Sequence, residues 1–142
     1  MSKEPFLETR DVFNRFIKTW EAGDLPKTAW THAAHVAVGA CYLVREGTDA
    51  LHHVRGGIKR HNAAVGTIDT PTSGYHETLT RFWLDTVSLS ISGLSDPWAA
   101  AVQAVALFGE ERALHRRYYS FDVVSDPRAR AMWVPPDLDP EA

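Results

Sequence analysis

Two short stretches concentrate the side chains able to do chemistry. WTHAAH holds Trp30, His32 and His35, and GYHE holds Tyr75, His76 and Glu77. His32 and His35 are three residues apart, so on a helix both imidazoles lie on one face, where two nitrogens can share a metal ion. His76 supplies a third nitrogen, or Glu77 an oxygen, and positions stay open for water. Zinc, manganese or iron accept such a set. An ion held by His32, His35 and His76 would activate water or polarise a carbonyl, with Glu77 as ligand or general base. Without metal, His35 and His76 can act as acid and base while Glu77 orients one imidazole. Tyr75 or Tyr119 can then donate to a developing oxyanion.

Each of these residues also has a structural role open to it. His32 can be a first-turn residue touching solvent. His35 can bond a backbone carbonyl or Tyr42 within the core. His76 can cap the end of a neighbouring helix. Glu77 lies four residues before Arg81, the spacing of a common surface ion pair, and a carboxylate in a first turn suits the helix dipole. A second group, EERALHRRYYS, offers Arg112, Arg116 and Arg117 beside Tyr118 and Tyr119. Forked guanidinium contacts there would bind a carboxylate or phosphate. Arg112 has Glu110 and Glu111 for alternative partners.

These side chains need helices to position them. Apolar residues recur at helical spacing over 5–22, with Phe6, Phe13, Phe16, Ile17 and Trp20 on one stripe. The second helix, 31–44, has no Asp, Glu, Lys or Arg, so it reads as central and buried on most faces. Thr28 or Thr31 can cap it, and His32, His35, Gly39 and Tyr42 share one of its stripes. A third helix spans 49–64, and Gly56-Gly57 inside it points to a kink or a tight crossing. A turn-rich loop, 67–74, leads to a fourth helix over 74–91 that turns Tyr75, His76, Leu79, Phe82, Trp83 and Val87 inward and leaves Glu77 at the edge. SDP occurs at 95–97 and 125–127, a cap followed by a first-turn proline each time. It starts a fifth helix ending at Gly109 and a short last helix reaching Met132, with a short helical piece over 111–116 between them. FDVV, 121–124, would be a strand without a partner. The fold class is all-α: a single-domain bundle of about five main helices over 1–134 and an extended Pro-rich acidic tail over 135–142.

Composition narrows the function class. A net charge of −3 argues against a chain built to bind nucleic acid. The charged N-terminus lacks a signal peptide's apolar core and no window has membrane-span length, so a cytoplasmic protein is expected. The single cysteine, Cys41, sits in an apolar run and reads as a small hydrophobe. There is no Gly-rich phosphate loop and no G-x-S-x-G.

LPKTAWTHAAHVAVGACYLV, GIKRHNAAVGTIDTPTSGYHETLTRFW, RRYYS and WVPPDL resemble an uncharacterised family of small bacterial proteins marked by W-T-H-x-A-H followed by G-Y-H-E-T. The similarity runs from about Leu25 to Leu138. It implies that Trp30, His32, His35, Tyr75, His76 and Glu77 form the family's signature, and it implies no activity. The function expected is a small-molecule enzyme, a metal-assisted hydrolase or lyase, with catalytic Glu77, His35 and His76. Tyr75, Arg116, Arg117, Tyr119 and Trp30 would hold a ligand, an anionic one if the arginines read it. The alternatives are a ligand- or metal-binding module without turnover, and a structural protein or homo-oligomer subunit with core histidines.

Overall fold

The computed structural model describes residues 4–141. The outer limits of the expected domain and tail, residues 1–3 and 142, lie outside the described residues. Six α-helices follow one another: α1 (Arg10–Glu21), α2 (His32–Glu46), α3 (Ala50–Ala64), α4 (Glu77–Ser90), α5 (Pro97–Phe108) and the short α6 (Pro127–Ala131). Short 3₁₀ turns occupy Pro5–Leu7, Lys27–Ala29, Gly47–Asp49 and Leu114–Arg117. Among the described residues there is no strand, and FDVV is a turn. None of the helices is long and apolar enough to cross a membrane.

Local chemistry sets the helix starts. The Thr9 hydroxyl accepts from the Val12 amide, so α1 begins at Arg10 and the expected first turn at Pro5 is a separate 3₁₀ piece. Thr31 caps α2 through the Ala34 amide. Asp96 and Asp126 cap α5 and α6, each with proline next, so the repeated SDP is one cap used twice. The fourth helix begins three residues later than its periodicity suggests. Gly74 has φ +86°, and the Asp69 side chain fills the space where a Cβ would sit. Asp69 Oδ1 accepts from the Tyr75 amide at 3.0 Å, which holds this turn closed.

α2 is the centre of the bundle and packs against α3, α4 and α5. Every residue from Val36 to Tyr42 is buried. A helix apolar on all faces belongs inside, and its alanines let neighbours come close. Gly57 explains part of the glycine pair in α3. The ring of Trp20 from α1 lies where a Cβ would stand, so this is a tight crossing, while α3 runs on unbroken. Gly56 has open space instead.

The C-terminal third folds over the start of α4. Tyr119, Val123 and Ala129 bury against Phe82 as a second small core. Thr78 on α4 latches this segment, donating to the Met132 carbonyl and accepting from the Val134 amide. The Tyr119 hydroxyl donates to the Val134 carbonyl at 2.7 Å. The tail, expected to be loose or extended, is tied down. The Leu138 amide donates to Tyr118 at 3.0 Å, and the Asp137 carboxylate accepts from the Ser120 amide and hydroxyl.

Candidate functional site

Between α2, α3, α4 and the 112–125 segment lies a recess of about 1420 Å³. Val36 and Gly39 of α2, Val54 and Ile58 of α3, and Leu79, Leu84 and Val87 of α4 give it apolar walls. Most of the predicted site residues line it: Trp30, His32, His35, Tyr75, His76, Arg116 and Tyr119. The stretches WTHAAH and GYHE, forty residues apart, do face one another across it. Glu77 and Arg117 are not on its walls.

The imidazoles differ in what remains free. A carbonyl oxygen only accepts, so each carbonyl contact fixes which ring nitrogen carries the proton. His32 Nε2–H donates to the Phe108 carbonyl at 3.0 Å. His35 Nδ1–H donates to Thr31 at 2.7 Å, and the ring packs 3.8 Å from Trp30. His115 Nδ1–H donates to Arg112 at 3.2 Å. The second nitrogen of each of these three rings is a bare acceptor with no hydrogen-bond partner among the described residues. His76 is different. Its Nε2–H donates to Val123 at 2.8 Å, and its Nδ1 accepts from the Leu79 amide at 3.1 Å. It is the N-cap of α4, with both nitrogens engaged.

Burial shifts all four rings toward the neutral form. It lowers His32, with Arg112 adding to the effect, and lowers His115, with Arg116 adding to it. It lowers His76, where Arg130 contributes. His35 is pushed down to about 4 by its enclosure. That ring nonetheless keeps an exposed surface, because it opens into the recess and not onto packed side chains. Contact with solvent in the recess offsets part of that desolvation.

Glu77 corrects the sequence reading. Its carboxylate takes two hydrogen bonds from Arg55, at 2.9 and 2.6 Å, and one from the Tyr75 hydroxyl at 2.7 Å. The Arg55 guanidinium holds the Glu77 carboxyl below its usual range. Arg81, its expected partner, instead lies 4.5 Å over the Trp133 ring. Glu77 lines a second, smaller recess of about 810 Å³ with Arg55, Lys59 and Arg130, and Tyr75 stands in the wall common to both. The Tyr75 and Tyr119 hydroxyls are therefore both spent, one on Glu77 and one on Val134. Tyr42, placed by sequence on the His35 stripe, bonds Glu21 of α1.

The expected metal ligands are not assembled either. Among the described residues, no three His, Cys, Asp or Glu side chains converge to hold an ion. His32 and His76 direct nitrogens at different carbonyls, Phe108 and Val123, and His76 has no lone pair to give. Cys41 is buried, and burial pushes its thiol up to about 11, which suits the expected packing role.

Sequence reasoning passed over His115. It stood in the middle of EERALHRRYYS, yet only the surrounding arginines and tyrosines drew notice. The available signal was the adjacent Arg116, a cation that adds to burial in lowering the ring. His61 was also passed over. It is fully buried, donates to the Leu25 carbonyl at 3.0 Å and packs 5.4 Å from the Trp30 ring, with its Nδ1 unpartnered among the described residues.

No family model, no curated protein and no solved structure matches this chain. The functional reading therefore rests on the site itself.

Proposed function

We propose that the protein binds a small organic molecule in the recess between α2, α3, α4 and the 112–125 segment. One observation carries this reading: three bare imidazole acceptors, on His32, His35 and His115, stand on the walls of one large apolar-lined recess. Apolar walls with a few placed polar groups are the usual make-up of a small-molecule site. A ligand with N–H or O–H donors would satisfy nitrogens that the protein leaves open.

Binding is favoured over turnover by the fate of the expected catalytic groups. Glu77 is held by Arg55, His76 is a cap, and the hydroxyls of Tyr75 and Tyr119 are engaged. His35 remains, and a ring whose pKa is pushed to about 4 is a weak base at neutral pH. Its better use is as a neutral acceptor.

The test is a screen of metabolite-sized compounds read by intrinsic fluorescence, since Trp30 and Trp83 line the recess. A compound that shifts the emission and raises the melting temperature should lose about tenfold in affinity in His35→Ala or His115→Ala. A screen without any hit, or hits indifferent to both substitutions, overturns the reading.

A further inference from the structure

The charge of the recess is one-sided. Lys27, Arg112 and Arg116 line it, and Asp122 is its single acid. Arg112 and Arg116 are exposed, and neither side chain makes a hydrogen bond or ion pair with another described residue. Their field reaches inward, since Arg112 acts on His32 and Arg116 on His115. Asp122 feels Arg116 and offsets part of that charge, but two other nearby acids are engaged elsewhere. Glu77 is committed to Arg55 in the neighbouring recess, and Asp69 is committed to the Tyr75 amide. Unpaired guanidinium groups beside an apolar cavity match a ligand with an anionic head and an apolar body, and their fork fits a carboxylate.

We propose that the recess takes an amphipathic organic acid, its carboxylate at Arg112 and Arg116 and its alkyl or aryl body along Val36, Val54, Leu84 and Val87. This rests on the small-molecule reading above and adds the sign of the ligand's charge. The apolar body supplies burial and the arginines supply selection, because an alcohol of equal length leaves both guanidinium groups unmatched. Affinity should weaken with salt, as it does for partly exposed charges.

The experiment compares decanoate, decan-1-ol and decyltrimethylammonium by calorimetry and tryptophan fluorescence, with the parent and with Arg112→Ala/Arg116→Ala. Both side chains are exposed and unpaired, so the double variant should melt where the parent does. The expected result is that decanoate binds about tenfold or more tighter than the alcohol. The double variant should abolish that preference and leave the alcohol unchanged. Equal affinity for acid and alcohol, or a preference that survives the double substitution, overturns the anionic inference while the small-molecule reading stands. Preference for the ammonium compound overturns it also. If none of the three binds while other compounds from the screen do, the amphipathic-acid inference fails alone. If nothing binds at all, both readings fail together.

Discussion

The two recesses share the wall made by Tyr75, yet they differ in how their polar groups are used. In the smaller one the carboxylate is fully engaged: Arg55 and Glu77 form a forked pair that the Tyr75 hydroxyl completes, while Lys59 lies over the Tyr75 ring and Arg130 donates to the Gly74 and Val124 carbonyls. In the larger one three imidazole acceptors and two guanidinium groups have no hydrogen-bond or ion-pair partner among the described residues. Consecutive residues supply both. His76 faces the larger recess and Glu77 the smaller, because neighbours at a helix start point about 100° apart. A motif that is continuous in sequence is thus divided between a finished structural contact and an open one. Matched polar groups stabilise the fold, whereas unmatched ones at a cavity are left for something else to satisfy.

The sharpest way to break this contrast is His76→Ala. If His76 is scaffold, the variant loses the α4 cap and leaves the Val123 carbonyl bare. Urea denaturation should show a loss of about 3 kcal/mol. His76→Asn should recover about 1 kcal/mol of it, since asparagine also caps. A loss under about 0.5 kcal/mol would move His76 from the scaffold to the site.

Arg55→Ala comes next, with an expected cost of about 1 kcal/mol at neutral pH, kept small by the partial exposure of the pair. The sign of its pH dependence follows from Glu77. The folded carboxyl titrates below its ordinary 4.5, so the pair's contribution is complete above that pH and fades as pH falls through the lower folded value. Parent and variant should therefore converge in stability in acid. Curves that stay parallel down to the acid limit would count against the pair.

His35→Gln addresses the open recess. The folded ring is lowered from 6.5 to about 4, so the unfolded chain binds more protons in that interval. Stability of the parent should fall as pH drops from 6.5 toward 4, and the variant should show a shallower fall. A titration of the ring by NMR checks the same point, and a midpoint at or above 6.5 would contradict it. The smallest effect belongs to Arg117→Ala. Arg117 lies off both recesses, so stability should stay within about 0.5 kcal/mol and ligand affinity should not change.

Much of the scaffold was legible in the sequence. Thr31 as a cap, the two SDP starts, the apolar second helix and the close crossing at the glycine pair all follow from local rules, and all are present. The site was legible in part. Pairing WTHAAH with GYHE drew on residue types and helix phase, and both stretches do line one recess. The roles were less legible, because a partner such as Arg55, Val123 or Val134 is 15 to 47 residues away and leaves no local trace. The i, i+4 rule offered Arg81 to Glu77, and the fold brought Arg55 closer.

The sequence by itself determined the capped starts at Thr31, Asp96 and Asp126 and which helix is central, since capping and hydrophobic burial depend on neighbours along the chain, whereas the starts of α1 and α4 fell later than the periodicity gave. Only the tertiary structure decided which polar groups are satisfied. Hydrogen-bond partners for a buried side chain come from whichever segment packs beside it, and here Val123 of the C-terminal segment takes Nε2 of His76, after α4's own Leu79 amide has taken Nδ1, while Nε2 of His35 is left open.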